Sequence, residues 1–132
     1  WSVTSYSELR RDALDSERWN RLHPSKPIRK NWLSENLDDK ISLTIAVSDN
    51  MKAVPDLIRQ WISGEYVVLG TDGFGRSDTR EVLRRFFEID AENIVLTAIS
   101  SLVRKGELES SFFDNLLQKY NISTQRNDIT LI

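Results

Sequence analysis

The chain has 132 residues, a formal net charge of −2 at pH 7 and no cysteine. That length suits one domain, and the ordinary apolar and charged fractions (39% and 29%) exclude a disordered chain. Without cysteine, a disulfide framework and a thiolate metal site are both excluded. A basic excess in residues 1–30 is largely offset by neighbouring acidic residues, and no apolar run reaches membrane-spanning length. We therefore expect a cytoplasmic protein with no nucleic-acid or membrane partner.

The first part of the chain is predicted to contain a strand, a helix, a loop and a second strand. Residues 1–5 have the β-branched character of a strand. Ser5 and Glu8 have the capping-box spacing, which predicts a helix that begins there and runs through Leu14. The polar stretch that follows contains two prolines and indicates a loop, and the apolar run in 41–47 predicts the second strand.

The middle of the chain predicts a helix followed by a third strand. Apolar residues recur there at the spacing of one buried helix face: Val54, Leu57, Ile58, Trp61 and Ile62. Pro55 must lie in the first turn of this helix or kink it. Gly64 is predicted to end the helix, and 66–69 to form the third strand.

Three more helices are predicted by apolar stripes in the last third of the chain. Asp90 is expected to cap the second of them and Gly106 to stop it. The stripes consist of Val82, Leu83, Phe86 and Phe87, then Ile94, Val95, Ala98, Ile99, Leu102 and Val103, then Phe112, Phe113, Leu116, Leu117 and Tyr120. Alternating strands and helices predict an α/β fold with a parallel sheet. Three strands are few for such a sheet, and the chain opens inside a strand without methionine, so we expect a piece of a longer polypeptide.

The loop between the third strand and the next helix is the main candidate site. It contains three glycines in six residues, and its members are Gly70, Asp72, Gly73, Phe74, Gly75, Arg76, Ser77 and Asp78. Its backbone N–H groups and Arg76 suit a phosphate. The glycine spacing is not the dinucleotide fingerprint, however, and the P-loop lysine is missing. We therefore favour glycines that permit a φ > 0 turn and the close approach of a neighbouring backbone or subunit.

Other chemistry is weakly supported by the sequence. The only histidine, His23, precedes a proline in a predicted loop, and Gly75-Arg76-Ser77 lacks the closing glycine of a nucleophile elbow. Ser77 is instead predicted to cap the following helix. Asp72, Asp78, Arg80 and Glu81 could form an ion-pair cluster around the loop, which would favour local scaffolding over acid–base chemistry.

The string LGTDGFGRSDTRE (residues 69–81) resembles the C-terminal domain of the homodimeric-type pyruvate dehydrogenase decarboxylating component, a thiamine-diphosphate enzyme of the transketolase superfamily. Further similar stretches follow the family order and together cover most of residues 1–106: 1–6, 8–12, 17–24, 48–52 and 86–90. The resemblance implies a three-layer α/β/α fold with a mostly parallel sheet. Residues 1–132 would then form a single, partial domain that lacks strands on its N-terminal side, and the isolated chain is expected to self-associate through exposed sheet edges.

The resemblance also implies a function for the parent protein. That protein would decarboxylate pyruvate on thiamine diphosphate with Mg²⁺ and pass the acetyl group to the lipoyl acetyltransferase component of a multienzyme complex, downstream of glycolysis. The family's cofactor motif starts Gly-Asp-Gly and ends in asparagine, whereas Thr71-Asp72-Gly73 lacks the first glycine and no suitably placed asparagine follows. The chain itself is therefore expected to hold no catalytic residue and no cofactor. It would support a homodimer and the rest of its own chain, with the loop as contact surface. The alternatives are a stand-alone interaction module, or a phosphate- or nucleotide-binding domain that uses the same loop.

Overall fold

The computed structural model describes residues 1–128 and confirms the α/β fold class. Its elements are α1 (Tyr6–Leu22), α2 (Trp32–Asn36), β1 (Leu43–Val47), α3 (Ala53–Asp56), a 3₁₀ turn (Arg59–Trp61), β2 (Glu65–Leu69), α4 (Arg80–Phe86), α5 (Ala91–Arg104) and α6 (Ser110–Tyr120). Among the described residues, none of the helices combines the length and apolar character needed to cross a lipid bilayer.

The start of α1 confirms the predicted cap. Ser5 Oγ accepts the N–H of Glu8 at 3.2 Å, and the helix runs on to Leu22. The strand predicted for residues 1–5 is wrong, because this segment is neither strand nor helix before α1. β-branching favours a strand only where a partner strand is available for pairing. Trp1 is instead 73% exposed and packs edge-on against Trp32, with ring centroids 5.2 Å apart.

The predicted loop after α1 is present and leads into α2, a short helix that the sequence analysis missed. Asn31 caps it, since its side chain accepts the N–H of Ser34 at 2.9 Å. The N–H of Trp32 is accepted by Asp12 Oδ2 at 2.7 Å, which ties α2 to α1. Asparagine before an apolar residue is a capping signal, but five residues are too few for an apolar stripe to be recognised.

β1 and β2 form a two-stranded parallel sheet and confirm the second and third predicted strands. The N–H of Glu65 bonds the carbonyl of Ser42 at one end, and the N–H of Ser48 bonds the carbonyl of Leu69 at the other, both at 3.0 Å. Residue numbers therefore rise in the same direction along both strands. Since residues 1–5 are not a strand, neither strand has a second neighbour in the described part of the chain.

The continuous helix predicted over Val54–Ile62 is wrong, because the segment divides into α3 and a 3₁₀ turn. Pro55 lies in the first turn, as predicted, and is buried. After it the backbone closes i→i+3 bonds, such as the N–H of Ile58 to the carbonyl of Pro55 at 3.4 Å, rather than a helical ladder. Ile58, on the predicted buried face, is only 3% exposed.

The three helices predicted in the last third of the chain are present, and α5 begins and ends at its predicted signals. Asp90 caps α5 by accepting the N–H of Asn93 at 3.1 Å. Gly106 ends α5 with φ 73°, and its N–H bonds the carbonyl of Val103 at 2.9 Å. Glycine suits this position because the left-handed conformation costs it no steric strain.

The described residues fall into two compact units with their own buried side chains. Unit 1 comprises Trp1–Thr44 and Ala53–Tyr66, and unit 2 comprises Ile45–Lys52 with the described residues from Val67 onward. The buried apolar residues of unit 1 are Ala13, Leu33, Pro55, Ile58 and Tyr66, and those of unit 2 are Ala46, Val68, Ile89 and Leu96.

Candidate functional site: the loop between strand 2 and helix 4

The base of the Gly70–Asp78 loop is fixed to the segment that follows β1. The N–H of Thr71 donates to the carbonyl of Asn50 at 3.0 Å, and Thr71 Oγ1 donates to the carbonyl of Asp49 at 2.9 Å. Asp72 Oδ1 accepts the N–H of Lys52 at 2.9 Å. Three bonds between segments about twenty residues apart give the loop a rigid base. In the sequence, residues 48–52 stand out only by their resemblance to the family, and no local pattern predicts this contact.

At two of the three loop glycines the structure shows why a side chain would not fit. The reasons are those favoured from the sequence, the close approach of a backbone and a turn with φ > 0. A Cβ on buried Gly70 would stand 2.7 Å from the carbonyl oxygen of Asn50 and 3.0 Å from the nitrogen of Lys52. Gly73 has φ 100°, a conformation that side chains rarely adopt. Gly75 shows neither constraint, because a Cβ there would meet nothing within 4 Å. The close neighbour of Gly70 is therefore backbone of the same chain.

The tip of the loop is exposed. Phe74 is 85% exposed, and the side chains from Phe74 to Arg80 all face solvent to a large extent. Arg76 lies over the ring of Phe86, with the guanidinium carbon 4.2 Å from the ring centroid. The loop therefore presents an apolar side chain to solvent from a fixed base.

Ser77 is not the cap of α4, contrary to the prediction. Thr79 is the cap, and its Oγ1 accepts the N–H of Val82 at 3.4 Å. Asp78 Oδ1 accepts the N–H of Thr79 at 2.7 Å. This Asp–Thr turn places the first helical residue at Arg80, two residues later than a Ser77 cap requires.

The ion-pair cluster that these loop side chains could form is not present among the described residues. Within residues 1–128, no ion pair joins Asp72, Asp78, Arg80 and Glu81. The carboxylates of Asp72 and Asp78 accept backbone N–H groups instead. Acidic side chains next to a turn satisfy backbone donors more readily than they hold exposed cations, because exposed ion pairs gain little.

The loop geometry does not favour an anion. Arg76 is held against Phe86, the acidic side chains of Asp72 and Asp78 flank the turn, and α4 has only seven residues. The residues of Thr71-Asp72-Gly73 do not fit a diphosphate and Mg²⁺ site either, since Asp72 and Thr71 are used to fix the loop base. Over residues 1–128, no three histidine, aspartate or glutamate side chains converge as a ligand set.

His23, the only histidine, has a structural position in unit 1. Its Nδ1 lies 2.8 Å from the carbonyl oxygen of Trp19, one turn earlier, and its ring stacks on that tryptophan with centroids 4.5 Å apart. The other half-buried tryptophan, Trp61, donates its indole N–H to Glu17 at 2.8 Å. The His23 contacts stabilise the C-terminal end of α1, and the Trp61 hydrogen bond joins the 3₁₀ turn to α1.

Helix α4, which follows the loop, is held by an arginine that the sequence analysis did not single out. Arg85 donates to Asp90 Oδ2 at 3.1 Å and to the carbonyl of Tyr120 at 2.7 Å, so it joins α4 to the start of α5 and the end of α6. Burial by itself would raise the pKa of Asp90, but hydrogen bonds from Asn93 and Arg85 and the charge of Arg85 hold that pKa below its usual value. No local spacing predicts this contact, because it joins residues 35 positions apart.

Comparison with known proteins gives consistent matches along the chain. The family model described as the transketolase-like TK C-terminal domain matches residues 1–90. The pyruvate dehydrogenase E1 component of Pseudomonas aeruginosa is 46% identical over 129 residues, which is 97% of this chain and 15% of that protein. The proteins of that name from Mycolicibacterium smegmatis and Escherichia coli K12 are 44% and 40% identical over 92% and 96% of this chain, and 13% and 14% of their own lengths. The chain thus spans 15% or less of each of these curated relatives.

Proposed function

The chain belongs to the transketolase-like C-terminal domain family, and from that premise we propose that it is the non-catalytic C-terminal domain of a pyruvate dehydrogenase E1-type subunit. The observation that carries this proposal is the 46% identity to a pyruvate dehydrogenase E1 component over 97% of the chain. The same protein name recurs at 44% and 40% identity in two other bacteria.

The proposed parent reaction is the decarboxylation of pyruvate on thiamine diphosphate with Mg²⁺, followed by acetyl transfer to a lipoyl group of the acetyltransferase component. This chain supplies none of the reacting groups. The internal use of Asp72 at the loop base and the stacking of His23 on Trp19 support that assignment, because both side chains are committed to fixing local structure. The domain contributes assembly rather than chemistry.

We assign the assembly role to the Gly70–Asp78 loop, as a contact surface in a homodimer. An exposed phenylalanine on a base held by three hydrogen bonds is a preorganised anchor, so its docking costs little conformational entropy. Arg76, which lies over Phe86, adds a planar cation to the same loop, and aromatic residues and arginine are enriched where binding energy concentrates in interfaces.

The contact role is tested in the natural full-length protein by sedimentation with Phe74→Ala. The expected result is a dimer dissociation constant raised about tenfold or more, since burial of one phenylalanine anchor is worth ~1.5–3 kcal/mol. Phe112→Ala is the matched control, because Phe112 is 54% exposed on α6, away from the loop in sequence. Equal dissociation constants for the two variants would contradict the contact role.

Two further loop variants separate folding from contact. Gly73→Val forces a β-branched side chain into φ 100° and is expected to impair folding or dimerisation through strain. Arg76→Ala is expected to weaken the dimer with little loss of stability, because its contact with Phe86 is exposed and worth about 0.5–1 kcal/mol. Unchanged assembly and activity in both variants would remove the loop's role.

The catalytic part of the proposal is tested by calorimetric titration and a decarboxylation assay. The full-length protein is expected to bind thiamine diphosphate with Mg²⁺ and to consume pyruvate. The 132-residue chain alone is expected to give no binding heat with thiamine diphosphate or with nucleotides. Pyruvate left unconsumed by the full-length protein would refute the parent activity, and a saturable heat from the short chain would refute its non-catalytic role.

A further inference from the structure

The exposed side of α1 carries arginine and leucine but no carboxylate. Ala13 and Ser16 face the core of unit 1, with exposed fractions of 0% and 2%. At about 100° per residue, the side chains on the opposite side of the helix fall within about 120° of one another. They are Ser7, Arg10, Arg11, Leu14, Arg18, Arg21 and Leu22, and each of them is exposed. We call this set the outer face of α1.

The carboxylates of α1 that could neutralise this face are engaged elsewhere. Asp15 lies three residues before Arg18, but it pairs at 3.0 Å with an arginine from the loop after α1. Glu17 lies four residues before Arg21, a spacing that favours an ion pair on a helix. Its carboxylate instead accepts the indole N–H of Trp61 at 2.8 Å. The fold therefore draws both counter-charges away from the outer face.

Three of the four arginines on the outer face are left without an ion pair. Arg11 pairs with Glu8, whereas Arg10 has no acidic residue three or four positions away. Within residues 1–128, no ion pair involves Arg10, Arg18 or Arg21. Arg18 and Arg21 are three residues apart, and like charges at that spacing destabilise a helix. The stability of α1 therefore does not account for this group of cations.

Residues four apart on the outer face form a ridge in which arginine and leucine alternate. The ridge consists of Arg10, Leu14, Arg18 and Leu22. Leu14 is 40% exposed and Leu22 is 56% exposed. The two leucines lie about 12 Å apart along the helix axis, at a rise of about 1.5 Å per residue. In the commonest class of helix pairing, such a ridge packs into the groove of a second helix. The face thus has the spacing that suits a helix and the charge that suits an acidic one.

We propose that the outer face of α1 docks an acidic amphipathic helix of a partner protein. The apolar stripe of that helix packs against Leu14 and Leu22. Carboxylates beside the stripe pair with the three unpaired arginines, Arg10, Arg18 and Arg21. The same face of a second copy does not suit this role, because arginines would then meet arginines. α1 belongs to unit 1, whereas the loop proposed as the dimer contact belongs to unit 2, so this proposal goes beyond the loop's role.

The proposal is tested on the natural full-length protein by fluorescence anisotropy with a designed helix. The probe is a labelled alanine-based peptide of about 18 residues, long enough to be helical in water, with leucines along one face and glutamates beside them. Saturable binding that weakens as salt is raised is expected. A scrambled peptide of the same composition should bind about tenfold more weakly, because its leucines and glutamates no longer share a face. Absence of binding, or equal affinity for the scrambled peptide, overturns the proposal.

Two pairs of protein variants separate the outer face from general charge and general hydrophobicity. Arg18→Glu should weaken peptide binding about tenfold, whereas Lys40→Glu, at an exposed lysine of unit 1 outside α1, should leave it unchanged. Leu14→Ala should weaken binding about fivefold, because it removes apolar area from the contact while alanine favours the helix. Leu57→Ala is its control, at a leucine of unit 1 that is 36% exposed. Equal affinities within either pair overturn the proposal.

Two polyanions test whether the arginines serve another class of partner. The probes are a duplex DNA oligonucleotide and vesicles of anionic phospholipid. Neither is expected to bind through the outer face, because the protein chain carries a net charge of −2 and the exposed leucines add nothing to a phosphate contact. Binding of either probe that Arg18→Glu abolishes would assign the face to that polyanion and overturn the proposal.

Discussion

A methyl group added at Gly70 is expected to destabilise the chain, whereas the same addition at Gly75 is not. In Gly70→Ala the new Cβ would lie 2.7 Å from the carbonyl oxygen of Asn50, 3.0 Å from the nitrogen of Lys52 and 3.1 Å from its Cγ. The first two neighbours are backbone atoms. A Cβ at Gly75 has nothing within 4 Å, and that residue does not have positive φ.

The expected cost depends on how far the neighbouring backbone can move. The carbonyl of Asn50 already accepts the N–H of Thr71, and the N–H of Lys52 already donates to Asp72. Relief of the overlap therefore stretches a hydrogen bond on either side. Overpacking of this kind costs ~1–3 kcal/mol, and we expect Gly70→Ala to fall in the upper part of that range.

Gly75→Ala provides the matched control, because the chemical change and the loop are the same. Its expected effect is between zero and a stabilisation of ~1 kcal/mol, from reduced entropy of the unfolded chain. Gly73→Ala should lower the free energy of unfolding by about 1–3 kcal/mol, because φ 100° lies beyond the usual left-handed region of a residue with a side chain.

The measurement is urea unfolding of the 132-residue chain, followed by the fluorescence of its four tryptophans, with every variant at the same protein concentration so that self-association contributes equally. The free energy of unfolding is compared at equal slope, so that a shift of the midpoint reports stability alone. If the free energies of unfolding of Gly70→Ala and Gly75→Ala differ by less than ~0.5 kcal/mol, residues 49–52 move aside at little cost. The loop base would then not be rigid.

Two further predictions concern ionisable groups, and urea unfolding against pH checks both. Loss of the helix cap in Asp90→Ala should cost about 1–2 kcal/mol at neutral pH. Because the folded pKa of Asp90 is lowered, the stability it contributes is present above its unfolded-state pKa and is lost as pH falls through the folded value. Asp90→Ala should therefore lose less stability on acidification than the unsubstituted chain. Parallel curves of unfolding free energy against pH for the two chains would contradict this. Burial raises the pKa of Tyr66, so its contribution is complete below the unfolded value of about 10 and is lost as pH rises through the folded value. Tyr66→Phe should cost ~1 kcal/mol, for the 3.0 Å bond to the carbonyl of Pro55, and should flatten the alkaline decline; an unchanged alkaline slope would contradict the assignment.

The elements that were predicted correctly carry their signals within a few residues. Ser5 and Asp90 satisfy N–H groups three positions later, and Gly106 takes the left-handed conformation at the end of its helix. These are short-range hydrogen bonds and backbone preferences, which every copy of the local sequence shares. β1 and β2 were predicted correctly because a short apolar run bounded by turn residues is compatible with few structures other than a buried strand.

The incorrect predictions have different physical causes, one long-range and two local. Residues 1–5 have strand character but no partner strand in the described chain. The Val54–Ile62 stripe has a helical period, yet Pro55 divides the segment into α3 and a 3₁₀ turn. The cap of α4 lies at Thr79 rather than at Ser77. The side chain of Asp78 accepts the N–H of Thr79 and holds this residue in position before the helix.

The sequence by itself determined the family and the α/β class, because ordered motifs along residues 1–106 carry the resemblance that the comparisons confirm. It also identified the glycine loop and the conformational reason for Gly73. Only the tertiary structure decided what Gly70 approaches, since its neighbours at Asn50 and Lys52 lie about twenty residues earlier. It likewise decided that the side chain of Asn20 bonds both the N–H and the carbonyl of Arg29, nine residues later. Such contacts depend on which distant segments pack side by side, and that choice is made by the burial of the whole core rather than by any local preference.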